Sequence, residues 1–226
     1  MENKKLLFVI MRTLSNLLII FGIFLFLFSI WPYARDEILY RWYSFRGIHF
    51  SLEGKAPKSR FAYLISQPSP LRIDPASKDF GIVIEKINVN APIVKNVSVT
   101  DPKAYQLALR DGVAHAKGTV LPGENGNFYL FAHSSLDYWA LGKYATVFNM
   151  LRKLEAGPPV GEAGDKIVIF YKGERFDYQV LDKKVVPGWD ISPLTEKYDT
   201  PMMTLQTCYP PGTTLNRLII TAELVK

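Results

Sequence analysis

Three regimes of apolar and polar positions follow one another along the chain. The first is Leu14 to Trp31, eighteen residues without a charge, of which Leu17 to Ile30 is almost wholly Leu, Ile and Phe. At 1.5 Å per residue this run reaches roughly 27 Å as a helix, close to the thickness of a bilayer's hydrocarbon core. It predicts one membrane-spanning helix over 14–31. Lys4, Lys5 and Arg12 precede the run, while Trp31, Pro32 and Tyr33 make an interfacial aromatic stop and no small-x-small cleavage site follows. The pattern is that of a retained anchor, with residues 1–13 in the cytoplasm and everything after Pro32 outside the cell.

The second regime is mixed. Residues 34–49 place Arg35, Arg41 and Arg46 among Ile38, Leu39, Trp42, Tyr43 and Phe45 at helical spacing. Such a segment can lie on the outer leaflet, pack on the following domain or stand solvated beside the membrane. From Ser51 to Lys78, Pro57, Pro68, Pro70 and Pro75 stand among Ser, Lys and Gly, the composition of a linker or extended strap. Residues 32–79 are therefore read as a juxtamembrane segment and linker, with a domain spanning 80–226.

In the third regime short apolar runs alternate with turn residues. Phe80 to Ile87, Val89 to Val94, Phe128 to Ala132, Met202 to Cys208 and Asn216 to Val225 predict strands. Asp165 to Tyr171 and Arg175 to Val186, parted by Lys172, Gly173 and Glu174, predict a hairpin. Asp101 before Pro102 is a helix start, because the cap accepts free N–H groups and the proline ring needs none. A second helix is expected near Tyr144 to Leu154, ended by Gly157, Pro158 and Pro159. Seven or eight strands with two brief helices predict a mainly β barrel or sandwich.

Composition narrows the functional classes. Of 226 residues, 48% are hydrophobic and 21% charged, which excludes a disordered chain, and the absence of a second long apolar run excludes a polytopic membrane protein. The net charge of +6 is unevenly placed: residues 1–79 carry 11 basic against 6 acidic side chains, and 80–226 carry 16 against 15. A nearly neutral domain gives no support to nucleic-acid binding. One cysteine and three histidines cannot build a disulfide framework or a Cys-rich zinc site, and no carboxylates cluster at calcium-like spacing. No metal or other cofactor is expected.

That lone thiol is the chemical candidate. Thr204, Gln206 and Cys208 share one face of their strand by period two, and Leu205 and Thr207 share the other. If the last two strands pair antiparallel across Tyr209 to Leu215, Cys208 and Arg217 become neighbours at one rim. A cation near a thiol favours the nucleophilic thiolate, and a guanidinium can also donate to an oxyanion. Histidine is the usual acid/base partner. His133, at the end of a strand and followed by Ser134 and Ser135, is the best placed of the three, because His49 is juxtamembrane and His115 sits in a short apolar segment.

Thr204, Leu205, Gln206, Thr207 and Cys208 match the Thr-Leu-x-Thr-Cys signature of sortases, and Arg217 to Ile220 resembles the arginine-bearing strand that follows it. Gly112 to His115, Gly118 and Thr119, Leu121 to Asn127 and Phe131 to His133 resemble the stretch leading to that family's essential histidine. The likeness covers nearly all of 80–226 in order. It implies a closed sortase-type β-barrel and a cysteine transpeptidase of the cell membrane, with an extracellular domain acting on surface proteins that end in a Leu-Pro-x-Thr-Gly-like sorting signal. The family roles fall on Cys208 as nucleophile, His133 as acid and base, and Arg217 as holder of the oxyanion or the substrate backbone. Thr207 becomes a substrate-binding residue and His115 a structural or rim one. The acceptor amine would come from a peptidoglycan precursor or a pilin lysine. Ser134 stands where many sortases have arginine, and Asn216 where several classes have histidine. The run Cys208, Tyr209, Pro210 with its short loop is closer to class D or E than to class A. Asp74 and Pro75 resemble the lid dipeptide of class C. The competing functions are a cysteine protease or amidase that only hydrolyses, and an inert membrane-tethered binding module.

Overall fold

A computed structural model describes residues 2–52, 70–134, 142–157 and 163–225. The centre of the expected linker, 53–69, lies outside these residues, as do Ser135 and the two prolines expected to stop the second helix. A single helix α1, Glu2–Phe45, opens the chain. Within it Lys5–Trp31 is long and apolar enough to cross a membrane. The helix does not stop at the aromatic boundary but runs on through the mixed segment. Its far end packs on the following domain: Tyr40 lies against the core, and Glu37 accepts from Arg152 at 2.6 Å and Lys153 at 3.0 Å. Glu37 and Tyr40 thus place one side of this segment on the domain surface, one of the positions open to residues 34–49.

Two short parallel strands, β1 (Phe50–Ser51) and β2 (Leu71–Arg72), precede a closed eight-stranded barrel. In chain order its strands are β3 (Phe80–Ile84), β4 (Val89–Val97), β5 (Val113–Ala116), β6 (Gly126–Phe131), β7 (Lys166–Tyr171), β8 (Glu174–Pro187), β9 (Pro201–Tyr209) and β10 (Asn216–Leu224). Around the barrel the order is β10, β8, β7, β3, β4, β5, β6, β9, closing on β10. Closure removes the sheet edges, and inward side chains such as Ile82, Phe128, Leu130, Met203, Leu205 and Ile220 fill the interior completely buried.

Local chemistry explains most boundaries. Lys172 and Gly173 both take positive φ, 51° and 84°, which a tight primed hairpin turn between β7 and β8 requires. The predicted first strand is shorter than expected. It yields at Glu85 to a turn of 3-10 helix closed by Asn88 in the left-handed conformation. Helix α2, Pro102–Asp111, starts where Asp101 predicts: that carboxylate accepts from the N–H groups of Lys103 and Ala104. α2 makes the crossover that lets β4 and β5 run parallel.

The second expected helix is not one. Residues 143–150 form turns and only Leu151–Lys153 a short 3-10 piece. An α-helix would direct the Phe148 N–H to the Tyr144 carbonyl. That N–H instead bonds the carbonyl of His133 at 3.2 Å, while Val147 and Asn149 bond three residues back. β-branched Thr146 and Val147 beside Asn149 add little helix propensity with which to resist.

Candidate active site

The site is built at the common end of β6, β9 and β10. β9 alternates, with Met203, Leu205 and Thr207 buried and the first two in the core cluster, so Gln206 and Cys208 belong to the outer face. β9 and β10 are antiparallel and their register sets Arg217 directly across from Cys208. The juxtaposition required of the last two strands is therefore present in the ladder. β6 runs parallel to β9 on the other side, Phe131 opposite Gln206. Carried two residues further, that register brings His133 abreast of Cys208, and by alternation His133 shares the outer face with Tyr129 and Phe131.

Cys208 is half-buried and is a free thiol. His133 is half-buried as well, with its ring beside Tyr105 of α2 at 6.4 Å between centroids. Its Nε2 is shielded from solvent and has no hydrogen-bond partner among the described residues. Burial lowers the imidazole pKa below the ordinary 6.5, so the neutral form is favoured at neutral pH. Arg217 Nη1 donates to the carbonyls of Thr214 and Asn216, both at 3.1 Å, which fixes the plane of the guanidinium at the mouth of the β9–β10 loop. Gly188 permits this arrangement. A side chain there would meet the carbonyl oxygens of Thr214 and Leu215 at 2.6 and 2.8 Å, and its own N–H bonds the Leu215 carbonyl at 2.8 Å.

Thr207 is 3% exposed, and its hydroxyl donates to the Ala132 carbonyl at 2.9 Å. Its side chain thus belongs to the join between β6 and β9. His115 is wholly buried in β5 and fully bonded: Nδ1 accepts from the Asn96 N–H at 3.3 Å, and Nε2 lies 3.1 Å from the Val120 carbonyl and 3.0 Å from the Thr119 hydroxyl. With Nδ1 accepting, the proton sits on Nε2, and burial lowers this pKa too.

Two features carried no signal in residue spacing. The Tyr129 hydroxyl donates to Gln206 Oε1 at 2.5 Å on the outer face, two residues before Cys208, and burial raises the pKa of that phenol despite the charge of Arg217. The Ser134 hydroxyl donates to the Cys208 carbonyl at 2.6 Å. Ser134 stood out only as a departure from a pattern, and Gln206 only as a face neighbour of the thiol. No group of three or more His, Cys, Asp or Glu side chains that could hold a metal occurs among the described residues. A cavity of about 670 Å³ lies where α1 meets the barrel, and none of Cys208, His133 or Arg217 lines it. The Asp74 carboxylate bonds Arg72, and the Asp74 carbonyl accepts from Asn90, whose side chain helps line that same cavity.

A closed eight-stranded barrel with a thiol, an imidazole and a guanidinium drawn to one end defines a class, and comparison with known proteins identifies it. The Sortase domain family matches residues 82–225, so the chain belongs to the sortase family. It is 30% identical to Sortase D of Bacillus subtilis over 127 residues, which are 56% of this chain and about half, 52%, of that protein's length. Among solved structures it resembles sortase C-1 of Actinomyces oris, with TM-score 0.52 and 31% identity over 74% of this chain and 80% of that one. It also resembles Clostridium perfringens sortase C solved with the C-terminal cell wall sorting motif, with TM-score 0.52 and 29% identity over 71% of this chain and 77% of that one.

Proposed function

We propose that the chain is a membrane-anchored cysteine transpeptidase that cleaves a C-terminal Leu-Pro-x-Thr-Gly-like sorting signal and joins the product to an amine. The observation that carries this reading is the register: one ladder sets Arg217 across from Cys208, and the other, carried two residues past its last pair of Phe131 and Gln206, would set His133 beside it. His133, neutral at rest, takes the thiol proton of Cys208, and the thiolate attacks the threonine carbonyl carbon, whose oxygen becomes an oxyanion. Arg217 donates to it; a guanidinium has five N–H donors, and the two loop contacts through Nη1 leave its other edge for this work. His133 delivers a proton to the departing glycine amine as the C–N bond breaks, leaving a thioester on Cys208. An incoming amine then attacks that thioester, gives its proton to His133 and releases the thiolate. The amine belongs to a peptidoglycan precursor or a pilin lysine, and α1 holds the domain on the outer side of the cell membrane.

The test is mass spectrometry of the full chain in detergent micelles with a Leu-Pro-x-Thr-Gly peptide library and triglycine. A thioester adduct on Cys208 and a ligated peptide are the expected products. Hydrolysed peptide regardless of added amine would make the protein a plain cysteine peptidase, and no adduct from any peptide on a folded chain would make it a binding module.

A further inference from the structure

The end of the β6–β9 ladder is made by side chains. In a parallel pair each rung recurs every second residue. The Ala132 N–H donates to the Gln206 carbonyl at 3.1 Å, so the following rung would join the Ser134 N–H to the Cys208 carbonyl. The structure makes that rung with the Ser134 hydroxyl instead, at 2.6 Å. The Ala132 carbonyl, which the same ladder would offer to the Cys208 N–H, accepts from the Thr207 hydroxyl at 2.9 Å. A hydroxyl reaches further than a backbone N–H, so the chain can turn away from the sheet here without losing its hold.

His133 is the residue between these two stitches. Its own carbonyl accepts from the Phe148 N–H at 3.2 Å, and the Ser134 carbonyl accepts from the Gly212 N–H of the β9–β10 loop at 2.9 Å. Ser134 and Thr207 are 2% and 3% exposed, so water cannot replace either bond if a hydroxyl is removed.

We propose that Ser134 and Thr207 are positioning residues, whose hydroxyls carry the β6–β9 ladder past its backbone end and hold the imidazole of His133 in line with the thiol of Cys208. The proposal rests on the reading of those two as a working pair. It concerns alignment, not substrate contact: Ser134 grips the nucleophile's own carbonyl, and Thr207 grips the residue before the histidine. Small misalignments between reacting groups cost on the order of 100-fold in rate.

The test compares full-length Ser134→Ala, Ser134→Thr and Thr207→Val with the parent in micelles. The probes are a Leu-Pro-x-Thr-Gly peptide with triglycine for turnover, and iodoacetamide for the reactivity of Cys208. Ser134→Ala and Thr207→Val should lower kcat on the order of 10- to 100-fold with KM nearly unchanged. Both should move the alkylation rate towards that of His133→Ala, and Ser134→Thr, which keeps the hydroxyl, should recover most of kcat. Wild-type kcat and alkylation rate in folded Ser134→Ala and Thr207→Val, with Cys208→Ala and His133→Ala inactive, overturn this proposal and leave the catalytic pair standing. Full turnover by Cys208→Ala or His133→Ala overturns the reading beneath it. Should Ser134→Ala not fold, Thr207→Val decides, because valine keeps the shape of the side chain and removes only its hydroxyl. If no peptide is turned over, the alkylation rates decide alone.

Discussion

His115, within β5, and His133, two residues past the end of the adjacent β6, are 18 positions apart in sequence and built of the same ring, yet their surroundings are opposite. His115 sits inside the barrel wall with both ring nitrogens engaged by Asn96, Thr119 and Val120. His133 has its backbone tied down from several sides while its Nε2 has no partner among the described residues. A buried polar atom without a partner is costly, and proteins keep one mainly where a ligand or a reaction will use it. Burial is the largest cause lowering both pKa values, so the direction of titration does not separate the two rings. Hydrogen bonding does.

Removing each ring should separate the two histidines most strongly. His133→Ala and Cys208→Ala should each reduce ligation by roughly 1,000-fold or more in a peptide assay, the scale at which a catalytic unit fails as a whole. Retained turnover in either would make His133 no different in kind from His115. Arg217→Lys keeps the charge but loses the planar fork, and kcat should fall about 100-fold. A near-normal rate would remove the guanidinium from the mechanism.

His115→Gln should leave kcat of the folded protein unchanged and cost about 1–3 kcal/mol in denaturant unfolding, the range for buried hydrogen bonds left unmade. Both histidines have pKa values lowered below the unfolded value near 6.5. The unfolded chain therefore binds protons more readily, and stability rises with pH across that window. It is fully present above about pH 6.5 and is lost as pH falls through the lowered folded values. Melting temperature should drop on acidification below neutrality, and His115→Gln should flatten that drop. The smallest effect belongs to Glu37, whose carboxyl is pushed up by burial but pulled down further, to about 2, by hydrogen bonds from Arg41 and Lys153 and by the charge of Arg152. Glu37→Gln should cost about 1 kcal/mol or less in the same assay, since partly exposed pairs contribute little.

Much of the barrel was legible because its strands carry their own punctuation. Lys172–Gly173, Asn88 and Asp101–Pro102 each mark a turn or a cap by local chemistry alone. The pairing of Cys208 with Arg217 was legible because the loop between them is short enough to demand a hairpin. What escaped depends on distant partners. β5 is four buried residues, Val113–Ala116, with no alternation to reveal a strand. The segment before Leu154 loses its helix to a bond with His133, ten and more residues upstream, which no window of local sequence contains. The Ser134 and Thr207 stitches exist only once β6 and β9 lie side by side.

The unbroken helix from Lys5 to Phe45, fastened to the barrel through Tyr40 and Glu37, acts as a bracket and not as a leash. A flexible tether lets a reactive centre sweep a hemisphere of space. A bracket instead gives the barrel, and with it the thiol, one fixed distance and one fixed bearing relative to the apolar run of that helix.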